Sequence, residues 1–443
     1  MSDPRSSVLA DFHPEYLAAL PQWAFYRDAY EGDPDVMPRY LMRHEREADD
    51  IHRQRRARAY YLNFTAAVVD LYAAYLFRTP PMIEPPSDAR EDYEAFLRDA
   101  DRGGSTLRSL LSDAARWAAV YGHVGLLVDV PSDDGAPLTS ESARRACEVR
   151  PYLVVVPPTS IVDWSLDSRN VLRWVRILEE NQDLRSPFEA RPSGSPLLYR
   201  TFTRDEWFLD ATEKDRAWRV AQGRHDLGRV PLVLCYNARR RPSGLLGVSA
   251  VRDIARINLA IYNWCSLLDE EVYNKCLNIL LVPAVGVGSD IVIGSRNVLE
   301  YDPSLGERPS YLTPPSHPMQ SILDLIQRAG AWIYRLAKLG GVRKLQETGE
   351  IGSGVALKQE FLETNQALRE KADYLERAAR QVMDLVSLYL GRERFAGVVD
   401  FPEEFGVRDF LAELSLVASI GSAVRSATAR RAAEKEFCAA FFP

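Results

Sequence analysis

With 443 residues, a net charge of −7 and a hydrophobic fraction of 46%, the chain is long enough for two to four domains with substantial cores. Its acidic balance excludes a protein that wraps nucleic acid with its whole surface, although a local basic loop or a repelling acidic channel stays open. Five cysteines and six histidines, with no CxxC and no zinc-ligand spacing, predict buried free thiols, no metal centre and no cofactor.

The opening Met1-Ser2-Asp3-Pro4 lacks the basic-then-apolar pattern of a secretory signal. Residues 1–78 read as helical, with Tyr16, Leu20, Trp23, Phe25 and Tyr26 supplying apolar positions. Arg53, Arg55, Arg56 and Arg58 cluster in a polar stretch, either a solvated helix face or a contact with nucleic acid or a partner. The apolar run from Tyr60 to Phe77 holds Asn63 and Asp70 and is short of the roughly 20 clean residues that span a bilayer, so a buried helix and no membrane contact are expected. Residues 89–121 predict two more helices, one with Leu107, Leu110, Leu111, Ala114 and Trp117 on a single face.

From Val124 to Val130 the pattern becomes strand-like. Further strands are expected at Pro151 to Val156, Val171 to Leu178, Leu197 to Phe202, Glu206 to Leu209, Ala217 to Ala221 and Val230 to Tyr236. Turn residues separate them, which predicts an antiparallel meander and an α+β class. Asp163, before Trp164, reads as a turn aspartate after a strand, with a buried acid as the other reading.

At Gly247 the helical period returns. Val251, Ile254, Asn258, Ile261, Cys265, Leu268 and Val272 alternate steps of three and four, and Asp269, Glu270 and Glu271 lie near the end of that run. A proline- and glycine-punctuated β-rich stretch, 278–315, leads to a second amphipathic helix carrying Ile322, Ile326, Ala329, Ile333 and Leu336. Gly340-Gly341 break it, and a loop with Arg343 and Lys344 follows. Those two cations either solubilise a connector or touch a partner. A third helix then runs without glycine or proline to a stop at Gly391, roughly 55 Å on. A strut of that length suits an assembly. A strand at Val398 to Phe401 and a helix around Phe410 to Ile420 complete the expected elements.

Enzyme signatures are missing: there is no GxxxxGK[ST], HExxH or GxSxG, and Gly286-Val287-Gly288 lacks the third glycine of a dinucleotide loop. The carboxylate pairs Asp49-Asp50, Glu179-Glu180 and Glu403-Glu404 are adjacent in sequence, so their side chains diverge. Cys265 and Cys276 stand eleven residues apart, about 16 Å of helical rise, which favours packing over a metal or redox pair.

The order of parts resembles the portal proteins of tailed bacteriophages, in the branch long catalogued as a phage domain of unknown function. The residues that carry the resemblance are Tyr61-Leu62-Asn63-Phe64-Thr65 with Phe77-Arg78-Thr79-Pro80-Pro81, Pro157 with Ile161-Val162-Asp163-Trp164, and Gly228-Arg229-Val230-Pro231-Leu232-Val233. Asn258-Leu259-Ala260-Ile261-Tyr262, Ser353-Gly354-Val355-Ala356-Leu357 and Val399-Asp400-Phe401 add to it. The resemblance spans about residues 14 to 430, with a very short tail after the long helix as the departure.

It implies a wing (1–246), stem helices (247–277 and 316–339), a clip (278–315), a tunnel loop (340–353), a long wing helix (354–391) and a short C-terminal region (392–443). It further implies a non-enzymatic ring, usually of twelve subunits, at one capsid vertex of the virion, assembled in the host cytoplasm. Such a ring passes double-stranded DNA, docks the terminase large subunit, and meets capsid, scaffold and tail or adaptor proteins. On this reading Arg343 and Lys344 face DNA. Asp269, Glu270 and Glu271 supply acidic lumen charge, and Val251, Ile254, Ile261, Leu268 and Val272 pack subunits together. The alternatives are a cytosolic α+β hydrolase using carboxylates, which would need a deep pocket with shifted carboxyl groups, and a helical scaffold or adaptor without DNA contact.

Overall fold

The computed structural model describes residues 9–87, 90–131, 150–179, 196–213, 216–239, 244–276, 279–281, 310–312, 317–339, 354–405 and 435. The helices in chain order are α1 (Pro14–Glu31), α2 (Asp49–Arg58), α3 (Phe64–Leu76), α4 (Arg90–Arg98), α5 (Leu107–Tyr121), α6 (Ile254–Cys276), α7 (His317–Leu336) and α8 (Gly354–Tyr389). The strands are β1 (Met82–Glu84), β2 (His123–Asp129), β3 (Tyr152–Val156), β4 (Ile161–Leu166), β5 (Leu172–Glu179), β6 (Leu197–Phe202), β7 (Glu206–Glu213), β8 (Arg216–Arg224), β9 (Leu232–Tyr236), β10 (Ile279–Leu281), β11 (Ser310–Leu312) and β12 (Val398–Asp400). The class is α+β. Two compact units arise: one from Met1–Glu31, Asn63–Ala255 and Tyr334–Pro443, the other from Gly32–Leu62 and Arg256–Ile333.

In the first unit local sequence chemistry sets the helix ends. Asn63 caps α3 by accepting from Ala66 N at 2.8 Å, while its amide donates to Tyr30 O at 2.7 Å. Thr106 caps α5 through Ser109 N at 3.2 Å. That helix stops at Gly122, whose φ of 100° is open to glycine and whose N–H reaches Ala118 O at 2.7 Å. A second glycine is required beside it, because a Cβ on Gly247 would lie 2.1 Å from Gly122 O. The chain leaving β9 is thereby pressed onto the end of α5, where Ser249 Oγ donates to Val120 O at 2.6 Å.

The expected single meander divides into two sheets. Strands β4 to β8 do form a five-stranded meander in chain order. The other sheet is three-stranded, with β2 between β3 and β9; Leu126 faces Val155 on one side and Val233 on the other. All seven residues of β2 are buried, which explains why that segment reads as a continuous apolar run. A further ladder pairs β1 with β12, bringing Ile83 opposite Val399.

Asp163 corrects the turn reading: it lies inside β4, opposite Arg176, whose Nη1 is 3.4 Å from its carboxylate. Burial pushes its carboxyl pKa up and the guanidinium opposes that shift. The long helix α8 has 36 residues, about 54 Å at 1.5 Å per residue. Leu368, Ala372, Leu375, Ala379, Val382 and Val386 are buried along it, on one face. Gly391, at φ 76°, ends it as expected: Gly391 N donates to Leu388 O at 3.0 Å and Arg392 N to Ser387 O at 2.9 Å, a Schellman closure.

His123, at the start of β2, is fully buried. Its Nδ1 accepts from Gly247 N at 3.3 Å, so Nε2 carries the proton, and Nε2 has no hydrogen-bond partner. Burial pushes its pKa down to about 3 from 6.5. Below 6.5 the unfolded chain takes up a proton that the folded chain refuses until about pH 3. This residue therefore removes stability as pH falls through that window, by about 1.4 kcal/mol per pH unit. Urea unfolding of the chain and of His123→Gln should show the parent losing stability relative to the variant between pH 7 and 4. A difference independent of pH would contradict this assignment.

Candidate functional site

The second unit holds the elements that the sequence pattern singled out. From Arg256 the helix α6 runs to Cys276 and β10 begins three residues later. Strand β10 pairs antiparallel with β11, Leu280 opposite Tyr311, and α7 begins at His317. Two long helices thus flank a small two-stranded ladder. Residues 282–309, most of the expected clip, lie outside the described residues.

The base of α6 packs on the 32–62 segment. Asn258 is fully buried and its amide donates to Leu62 O at 2.7 Å, while the Tyr262 ring meets Tyr61 edge-on at 5.7 Å. Met37, Leu41 and Tyr262 form the apolar centre, with Tyr40 and Leu259 against it. The asparagine and tyrosine that drew attention in the sequence are therefore packing residues of this unit.

The arginine cluster of α2 is only in part a solvated face. Arg53 and Arg56 are exposed, but Arg55 is buried. Arg55 Nε lies 2.8 Å from Glu47 Oε1, and its other nitrogens donate to Met42 O at 2.6 Å and Ser266 Oγ at 3.3 Å. The Arg55 hydrogen bonds hold the Glu47 carboxyl down at a pKa of about 2. One turn on, Arg58 Nε is 3.2 Å from Asp269 Oδ2, and its Nη2 contacts Glu270. One guanidinium thus serves two of the three predicted acidic residues; Glu271 is half-buried beside them. No local pattern reveals this pairing, since the partners stand 211 and 212 residues apart.

The apolar stripe of α6 is split in its surroundings. The helix begins at Ile254, later than the expected Gly247, so Val251 precedes it. Val251, Ile254 and Ile261 are buried within the chain, Leu268 is half-buried, and Val272 is 39% exposed. Leu267, which the heptad reading passed over, is 48% exposed. On α7, Leu323 and Trp332 are 39% and 49% exposed, whereas Ala329 and Ile333 are buried.

The C-terminal end of α7 is closed by a second Schellman arrangement, within the first unit. Leu339 N donates to Tyr334 O at 2.8 Å and Lys338 N to Arg335 O at 3.0 Å, with Lys338 at φ 55°. Two further carbonyls are also taken. Thr364 Oγ1 donates to Lys338 O at 2.5 Å, and the Tyr72 hydroxyl donates to Ala337 O. The helix therefore has a fixed end immediately before residues 340–353. Arg343 and Lys344 lie outside the described residues.

The hydrolase alternative would place a shifted carboxylate in a cavity. The Asp129 carboxyl is raised by burial, but it accepts from Val130 N at 2.8 Å and faces Tyr152 and Arg200 at 3.5 Å, in a network that continues to Glu179. A cavity of about 580 Å³ nearby is lined by Tyr152, Trp117 and Tyr121 together with Asp101 and Asp113, without Asp129. Asp101 accepts from Gly103 N at 2.8 Å and Ser105 N at 3.0 Å. Its hydrogen bonds with Ser105 hold its carboxyl down at about 2, an ionised turn carboxylate and not a raised acid. Among the described residues no group of three or more His, Cys, Asp or Glu could hold a metal, and no helix is long and apolar enough to cross a membrane. Cys235 and Cys265 are buried free thiols.

No protein-family model and no curated protein matches the chain. Solved structures with partial likeness come from gene transfer agent particles. A chain of the virion of a native particle is 12% identical, covers 93% of this chain and 95% of its own, and gives a TM-score of 0.44. A chain of the neck of a native particle, computed with C12 symmetry, is 15% identical over 83% of this chain and 88% of its own, with a TM-score of 0.40. One from the neck of an empty particle, computed with C6 symmetry, is 14% identical over the same shares, with a TM-score of 0.39.

Removing one partner of a buried ion pair leaves the other charge uncompensated, at a cost of about 3 kcal/mol. Arg55→Ala should therefore lower the stability of the Gly32–Leu62 and Arg256–Ile333 unit by about that amount. Denaturant unfolding, followed by hydrogen exchange in α6, measures it; a loss under roughly 1 kcal/mol would contradict the buried network.

Proposed function

We propose that this chain is a portal-type ring subunit, a structural protein of a tailed-phage or phage-like particle without catalytic activity. The observation that carries the reading is the order α6, β10–β11 ladder, α7, closed helix end, glycine-bracketed segment and 36-residue helix. Apolar side chains left exposed on both flanking helices support it. In the proposed assembly copies of α6 and α7 stand side by side around a central bore. Leu267, Leu268 and Val272 of one copy meet Leu323 and Trp332 of the next. Such a contact is heterologous and closes by rotation, and twelve copies are the expected number.

Double-stranded DNA is the proposed cargo. A duplex must slide, so dense phosphate neutralisation would hinder it. Asp269, Glu270 and Glu271 are proposed to line the bore, with Arg58 anchoring the first two while leaving net negative charge. Arg343 and Lys344 would touch the backbone from a loop whose root is fixed by the closed end of α7. Terminase large subunit, capsid, scaffold and tail or adaptor proteins are the partners this role requires. The places of action are the capsid vertex of the virion and, during assembly, the host cytoplasm.

Native mass spectrometry of the purified protein, with scaffold supplied where needed, should show a closed ring. The pair Leu267→Asp and Trp332→Asp should cut the ring fraction at least 10-fold while leaving the secondary structure of the subunit intact. A chain that stays monomeric under every condition, or rings indifferent to both substitutions, would contradict the proposal. For the loop, Arg343→Ala with Lys344→Ala should change DNA packaging in particles whose rings assemble normally; unaltered packaging would remove the loop from the DNA path.

A further inference from the structure

A cavity of about 630 Å³ opens in the first unit between the turn that joins β4 to β5, strand β9 and helix α8. Its composition is unlike that of the chain as a whole, which carries −7. Three arginines line it, Arg229, Arg239 and Arg377, and no aspartate or glutamate does. Neither Arg229 nor Arg377 makes an ion pair among the described residues, in a chain whose other arginines are widely paired. Two uncompensated guanidinium groups in one concavity raise the local concentration of anions.

Two tyrosines complete the wall. The Tyr236 and Tyr374 rings have centroids 6.3 Å apart, inclined at 58°. The Arg239 guanidinium carbon sits 4.7 Å from the centroid of Tyr236, and that of Arg377 lies 5.8 Å from Tyr374. The Tyr374 ring holds the Arg377 guanidinium plane in position, and Arg239 Nη2 donates to Gly244 O at 3.2 Å. The N–H edges of Arg229 and Arg377 are therefore the ones that would bind a tetrahedral or planar oxyanion in bidentate fashion. Gln381 adds an amide at the rim. Apolar leucines of β9, Leu232 and Leu234, form the floor.

We infer that this cavity binds a small phosphate-bearing ligand with a planar ring, of the nucleoside phosphate class. The arginines take the phosphate and the tyrosine–leucine wall takes the ring. The volume is in the range that holds a small molecule, whereas a duplex, about 20 Å across, does not enter it. A carboxylate-bearing peptide would use the arginines but would leave the aromatic wall unexplained. The inference concerns the first unit alone and holds whether or not copies of the chain form a ring.

Calorimetry of the full chain with adenosine 5′-monophosphate, inorganic phosphate and a glutamate-rich hexapeptide separates the outcomes. The monophosphate should bind, inorganic phosphate at least 10-fold more weakly, and the peptide not at all. Arg229→Ala with Arg377→Ala should weaken the monophosphate at least 10-fold, and Tyr374→Leu should weaken the monophosphate more than it weakens inorganic phosphate. Arg229 and Arg377 are surface residues without ion-pair partners, so thermal melts of the double variant should match the parent. A readout that needs no variant is protection of Arg377 from phenylglyoxal by the monophosphate, followed by peptide mass. Failure of the monophosphate to bind at millimolar concentration, equal affinity for inorganic phosphate, or binding of the peptide alone would each overturn the inference.

Discussion

Everything in this chain turns on two helices that do not bury all of their apolar side chains. A soluble subunit ordinarily turns such a stripe inward, and α6 does so for its first half, through Ile254 and Ile261. Further along, Leu267 and Val272 stay at the surface, as do Leu323 and Trp332 on α7. Each large apolar side chain removed from water contributes about 1.5–3 kcal/mol. In the proposed ring four of them would meet at every junction and offset a substantial part of the association cost. The proposed assembly follows from this surplus of exposed apolar surface, and the helical order gives it direction.

Electrostatics act at a finer level. Three acidic residues in a row on α6 would repel one another if left alone. Arg58 sits between Asp269 and Glu270, and Arg55 one turn earlier fixes the same helix pair through Glu47 and Ser266. Arg55 and Arg58 of α2 therefore contribute rigidity where the sequence allowed a nucleic-acid contact. Held carboxylates keep a defined position on the helix. In the proposed bore that is the useful property, because a smooth negative wall needs its charges fixed rather than mobile. The same logic applies at the end of α7, where Tyr72 and Thr364 occupy carbonyls that would otherwise fray.

Much of the fold could be read before any coordinates. The seven-residue spacing from Val251 onward and the stop at Gly391 are local signals, and local chemistry decides helix ends. The end of α7 was less legible, since Lys338, and not a glycine, takes the left-handed position that closes it. Most strands from Val124 to Tyr236 were legible one by one, but β1 and β4 were not, and neither was the division into two sheets. Partners of β2 lie on both sides of the meander in sequence, and pairing over that distance leaves no periodic trace. Asp163 reads as a turn residue because aspartate is common in the turn after a strand; its cross-strand partner Arg176 keeps it in the ladder. Arg55 and Arg58 looked solvated because α2 is polar throughout, and their partners on α6 are distant in sequence. The arginine-lined cavity was equally hidden, since Arg229, Arg239 and Arg377 come from three separate stretches.

The most direct measurement is electron microscopy of the purified, assembled protein at a resolution that traces helices. The account predicts a closed ring in which residues 254–276 and 317–336 of neighbouring copies pack together around a bore at least as wide as a DNA duplex, about 20 Å. A solitary subunit, or an assembly in which Leu267 and Trp332 face solvent on its outer surface and no bore lies on the symmetry axis, would contradict it.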